Sequence, residues 1–76
     1  MCPIEVNANG SYVGQVGIGG GSVEGSDYRV LWSGDSVGIA SIVTTNSVIE
    51  QKNLPHTGSS VMVKTDSGSL VTVRRV

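Results

Sequence analysis

Phenylalanine is absent, and the aromatic stock is one tryptophan and two tyrosines. A core must therefore be filled by small side chains, chiefly thirteen valines, with five isoleucines and three leucines. Cysteine is nearly absent too. Cys2 stands alone, so no internal disulfide can form. Cys2 and His56 are the only soft metal ligands, which excludes the usual four-ligand structural zinc site and leaves no cofactor to expect. Charge is sparse, six acids against five bases for a net charge of −1. Without a field of either sign the chain advertises neither nucleic acid nor an anionic membrane as partner. No run approaches the roughly 20 apolar residues of a membrane-spanning helix. The stretch from Met1 to Gly10 has neither the basic start nor the apolar middle of a signal peptide. The expected location is the cytoplasm or a virion, and the lone cysteine fits a reducing compartment.

Length adds a constraint. The 76 residues suffice for one domain. A domain of this size buries only about 60% of the surface its unfolded chain exposes. Such domains usually add a disulfide, a metal or a partner subunit. With the first two excluded, self-association is the expected supplement, most simply as a two-fold homodimer.

What the chain does have is Val, Ile and Thr at short spacing, broken by Gly, Asn and Ser. That is the pattern of many short strands. The best helical window, Thr45 to Asn53, is short, β-branched and poorly capped. The reading is an all-β meander of about seven strands, 3–8, 11–18, 27–32, 36–43, 47–51, 60–65 and 69–75. It would close into an SH3-like barrel or a compact sandwich. The stretches Gly19 to Ser26 and Lys52 to Ser59 are the two longer connections.

Turn chemistry sets the registers. Asn9-Gly10 suits a type I′ turn, because both residues tolerate positive φ, and would pair Val6 with Val13 and Ile4 with Gln15. Ser33-Gly34 would pair Val30 with Val37 and Tyr28 with Ile39. Thr45-Asn46 would pair Val43 with Val48 and Ile42 with Ile49. For Asp66-Ser67-Gly68, a three-residue loop with Gly68 left-handed pairs Val63 with Val71 and Val61 with Val73. This apolar register is preferred over the two-residue alternative. The uncharged run from Ser36 to Thr45 should be central in its sheet or covered by a partner. Within it Ile42 and Val43 face opposite ways, one toward the core and the other toward a partner.

Several stretches invite a chemical reading. Gly17-Ile18-Gly19-Gly20-Gly21 follows a strand, and such loops can cradle phosphate. It lacks the Gly-Lys-Ser/Thr of a P-loop and the third glycine and acid of a dinucleotide fold. A close approach of two backbones accounts for it as well. Leu54-Pro55-His56-Thr57-Gly58 resembles the LPxTG sorting motif of proteins anchored to bacterial cell walls. That family continues into a hydrophobic span, which Lys64 and Asp66 interrupt here, so the five residues read as a turn. His56 has no nucleophile or orienting acid close in sequence, and no serine sits in a nucleophile elbow. Tyr28, Val30 and Trp32 share one strand face. Inward they are core; outward, with Arg29 beside them, they form an aromatic patch suited to a partner. Two strand glycines, Gly14 among them, leave room for Trp32 or Tyr12 to cover.

The sequence therefore carries no catalytic constellation. It reads as a non-enzymatic binding or assembly module acting through its surface: an accessory protein, a small inhibitor of a larger protein, or a viral particle component. Candidate contact residues are Gly19, Gly20, Gly21, Tyr28, Arg29 and Trp32. A second reading is a small-molecule binder, with the Gly19–Gly21 loop at a subunit interface enclosing an anionic ligand or nucleotide. Arg29, Lys64 or Arg74 would then supply charge. A third is a weak single-stranded nucleic-acid barrel, which the three aromatics and acidic balance disfavour.

Overall fold

A computed structural model describes residues 3–44 and 47–76. Eight strands follow one another, and the described residues contain no helix: β1 (Ile4–Ala8), β2 (Ser11–Val16), β3 (Gly21–Glu24), β4 (Arg29–Trp32), β5 (Ile39–Val43), β6 (Val48–Asn53), β7 (Ser60–Lys64) and β8 (Leu70–Arg75). They form two four-stranded antiparallel sheets. The flanking sheet has the order β2-β1-β8-β7, and the middle sheet β3-β4-β5-β6. Each strand therefore neighbours the next around a ring that β1 and β8 close. Ladder hydrogen bonds are missing between β2 and β3 and between β6 and β7. Those two seams make the molecule a sandwich and not a closed barrel.

Strand alternation sends one face of each sheet inward. Ile4, Val6, Val16, Val61, Val71 and Val73 from the flanking sheet meet Tyr28, Val30, Trp32, Ala40 and Ile42 from the middle sheet in one cluster. Leu54, from the β6–β7 connection, is fully buried in it. With no phenylalanine to spend, the core places its tryptophan centrally. Trp32 is 3% exposed, and the Arg75 guanidinium lies 5.6 Å from its ring centroid. Arg75 is itself buried and donates through Nη1 to the Leu54 carbonyl.

The hairpins separate the registers that local turn chemistry fixes from those it does not. Val61↔Val73 and Val63↔Val71 are neighbours, and Gly68 has φ 95°, as the three-residue loop requires. Asn9 and Gly10 are left-handed at φ 54° and 84°, and Ala8 faces Ser11 across the two-residue turn. Beyond that the expected pairs are displaced. A bulge leaves Val13 unpaired, so Val6 faces Gly14 and Ile4 faces Val16. The same bulge turns Tyr12 outward, to 60% exposure, while Gly14 faces inward. Val23, not Trp32 or Tyr12, covers Gly14, at 3.5 Å from where a Cβ would stand. Val43 faces Val48 as expected, but a bulge between Ile42 and Val43 sets Ile42 opposite Glu50 instead of Ile49. Thr45 and Asn46, the expected turn between them, lie outside the described residues.

The Ser33-Gly34 hairpin is the largest correction. Trp32 pairs with Ala40 and Val30 with Ile42, so the connection runs from Ser33 to Gly38. Side chains hold this longer loop. The Asp35 carboxylate accepts from the Gly38 N–H and the Ser33 hydroxyl, both at 3.0 Å, and Ser33 Oγ accepts from the Ile39 N–H at 2.9 Å. Two-residue turn logic counts neither the Asp35 acceptor nor the backbone packing at Gly34. The eighth strand, β3, lies inside what reads as a glycine-rich connection. Its single apolar residue, Val23, is too weak a periodic signal.

Candidate functional site

The six candidate contact residues do not converge. Gly19 and Gly20 form the tight turn between β2 and β3, with the Gly20 N–H bonded to the Gly17 carbonyl at 3.3 Å. Gly34 packs onto this turn so closely that a Cβ there would overlap the backbone of Gly19 and Gly20. The glycines serve an approach of two backbones, and the Gly20 N–H points to its own turn. Gly21 opens β3 opposite Trp32. Trp32 and Tyr28 face inward, the core alternative of the sequence reading, and are 3% and 7% exposed. Arg29 sits at the opposite end of β4 from the glycine turn. Lys64 and Arg74 lie on the flanking sheet, so the three cations are not gathered around the loop.

Tyr28 and Arg29 do meet in a cleft of about 370 Å³, lined also by Glu24, Asp27, Val43 and Thr44. Arg29 donates to Glu24 at 2.7 Å, with both side chains more than half exposed. Asp27 is half-buried, and hydroxyls occupy its carboxylate. Its Oδ2 accepts from the Thr65 hydroxyl at 2.7 Å and from the Ser67 hydroxyl. Burial, with Asp27 as the secondary cause, raises the Tyr28 phenol above its ordinary value. The cleft thus holds a neutralised ion pair and a carboxylate occupied by hydroxyls. It contains no group paired for proton transfer.

The cleft borders a more extensive feature, the outer face of the middle sheet. Cross-strand partners place two rows there, Ser22–Leu31–Ser41–Gln51 and Glu24–Arg29–Val43–Val48, with Ile39 opposite Asn53 beside them. Leu31 and Val48 are 40% and 61% exposed, and Ile39 and Val43 half-buried. Together they surround Ser41, whose hydroxyl accepts from Gln51 Nε2 at 3.1 Å. Charge occurs only at the corner, as the Glu24–Arg29 pair. The apolar residues run from Leu31 on a central strand to Val48 on the edge strand β6, with little charge among them, the composition of a protein interface. The expectation for the Ser36–Thr45 run holds over 39–43, since β5 is a central strand, but Ser36 and Val37 are exposed in the loop before it and Thr45 lies outside the described residues. Ile42 faces the core, fully buried, and Val43 faces out.

Of this face, the sequence reading names Arg29 as a contact candidate and Val43 only as one of the pair Ile42 and Val43, without saying which of the two faces out. Leu31 was missed, although its signal was present: if Val30 and Trp32 point inward, the leucine between them must point outward. Val48 and Ile39 follow from Val43, the first as its cross-strand partner and the second by alternation along β5. Elsewhere, Leu54 of the LPxTG-like stretch is locked in the core. His56 is exposed in the following turn, which closes through Ser59 N–H to the His56 carbonyl at 3.0 Å. Among the described residues no three His, Cys, Asp or Glu side chains gather as metal ligands. Nor, among the described residues, is any helix long and apolar enough to cross a membrane. No protein-family model, curated protein or solved structure matches this chain.

Proposed function

We propose that this protein is a non-enzymatic assembly module that associates with a second copy of itself through the outer face of the middle sheet. One observation carries the reading: Leu31, Ile39, Val43 and Val48 form an uncharged apolar centre around Ser41. On a solvated antiparallel sheet, outward positions are ordinarily polar. The lone charged pair on this face satisfies itself, so docking would strand no charge. Packing two such faces would also supply the burial that a 76-residue, valine-filled core lacks. A subunit of a particle, or a small inhibitor that docks on a larger protein, is the form such a module would take. Sedimentation equilibrium at micromolar concentration tests the reading. A reversible dimer that Val43→Glu dissolves while the fold persists is the expected result. A wild-type monomer whose melting temperature does not change with concentration refutes it.

A further inference from the structure

We propose that Asn9 is a site of spontaneous deamidation, and that the release of its turn from β8 sets the rate. Asn9-Gly10 forms the exposed tip of the β1–β2 hairpin. Beyond its chain neighbours, nothing stands within 4 Å of where a Gly10 Cβ would be, so no other part of the fold packs against the Cβ side of Gly10. The Asn9 side chain is not free, however. Ala8 and Val71 are the last ladder pair between β1 and β8. At Asn9, with φ 54°, the backbone leaves the strand. Two bonds still extend the ladder by one residue. Asn9 N–H donates to the Leu70 carbonyl at 2.8 Å, and Leu70 N–H donates to Asn9 Oδ1 at 2.9 Å. The carboxamide thus replaces the backbone carbonyl that turned away.

The chemistry needs only water. The Gly10 amide nitrogen gives up its proton and attacks Asn9 Cγ. The Cγ–Nδ2 bond breaks, and ammonia leaves with the proton, closing a five-membered succinimide. Water then opens the ring. Addition at Cγ gives aspartate. Addition at the backbone carbon gives isoaspartate, with the main chain running through Cγ. Overall, asparagine and water become aspartate or isoaspartate and ammonia, with no oxidation or reduction. Ring closure requires Cγ to swing toward the Gly10 nitrogen, so Oδ1 must first leave Leu70 N–H. The planar ring also cannot be held in a two-residue left-handed turn. The reaction therefore proceeds from the opened turn, and the same opening exposes Leu70 N–H to exchange. Aspartate keeps an oxygen that can bond Leu70 again. Isoaspartate adds a methylene to the main chain and breaks the Ala8–Ser11 register.

The test follows deamidation at Asn9 by peptide mass spectrometry, alongside hydrogen exchange at Leu70, in buffer, in sub-denaturing urea and in full denaturant. The native protein should deamidate roughly tenfold or more slowly than the denatured chain, and the two rates should rise together with urea. Asn9→Asp should melt with the wild type, and the isolated isoaspartate form well below it. In denaturant, Gly10→Ala should slow the reaction, since a Cβ hinders the attacking nitrogen. Equal rates in native and denatured protein, or deamidation that ignores the Leu70 exchange rate, would overturn the proposal. So would a Gly10→Ala chain that deamidates at the wild-type rate in denaturant.

Discussion

Asp27 in the β3–β4 turn accepts the hydroxyl of Thr65 at 2.7 Å, tying the middle sheet to the flanking sheet across 38 positions of sequence. Thr65 is 5% exposed, and besides Asp27 its hydroxyl has the Ser67 hydroxyl within reach at 3.2 Å. Asp27→Ala should destabilise the fold by about 1 kcal/mol, the net loss of a hydrogen bond whose donor can turn to the Ser67 hydroxyl. Ser67→Ala, at an exposed position, should cost less. Urea unfolding of the two variants gives the comparison. Equal midpoints for wild type and Asp27→Ala would show that the clasp contributes nothing.

Two groups tie stability to pH. Burial first, and Asp27 second, hold the Tyr28 phenol above its ordinary value of 10.0. A raised folded pKa means that the unfolded chain loses its proton first. The associated stability is therefore whole below pH 10 and is lost as pH climbs through the folded value. Asp35 behaves oppositely. The Gly38 N–H first, and the Ser33 hydroxyl second, hold its carboxyl below the ordinary 3.8. Its contribution is whole above that pH and is lost as pH falls through the folded value. Tyr28→Phe should flatten the alkaline limb of a melting-temperature profile, and Asp35→Asn the acid limb. An unchanged limb in either variant contradicts the assignment.

Glycines with similar backbone angles should differ in tolerance. Gly34 and Gly68 have φ 75° and 95°. A Cβ at Gly68 would meet nothing within 4 Å, whereas at Gly34 it would run into the Gly19–Gly20 backbone. Gly68→Ala should cost about 1 kcal/mol, the conformational penalty alone. Gly34→Ala should cost about 3 kcal/mol or more, because main chain must shift as well. Similar melting temperatures for the two would refute the backbone contact.

Ile42 and Val43 separate core from surface within one strand. Ile42 is fully buried, so Ile42→Glu should leave an unfolded chain by circular dichroism. Val43→Glu places its charge on the outer face, and its spectrum should match the wild type. An unfolded Val43→Glu would show that the bulge beside it tolerates no change.

Legibility followed the range of the interactions. The Gly68 turn and the Asn9-Gly10 turn are local, set by residues that accept positive φ, and the sequence displayed them. Two bulges, at Val13 and Ile49, displaced the registers beyond their turns because nothing in a short valine-rich strand marks where an extra residue will fit. The loop from Ser33 to Gly38 was hidden because two-residue turn logic weighs neither the Asp35 carboxylate as an acceptor for the Gly38 N–H nor the contact of Gly34 with the Gly19–Gly20 backbone. Of the surface, alternation set Ile42 and Val43 on opposite faces without saying which was out, and the expected Val43–Val48 pair placed Val48 with Val43. Setting Leu31 beside Ser41 needed the true register of β4 and β5.

The pairing of Ile4 with Arg75 bears on the order in which the protein is made. The middle sheet is local: β3 to β6 pair in succession, and their hairpins can close as each strand leaves the ribosome. The flanking sheet has no such freedom. β1 waits with one edge bare through the synthesis of every later strand, until β8 arrives to fill it. During that interval Ile4 and Val6 can pair with the same segment of another nascent chain, so dense polysomes should yield more aggregate than dilute refolding of the finished protein.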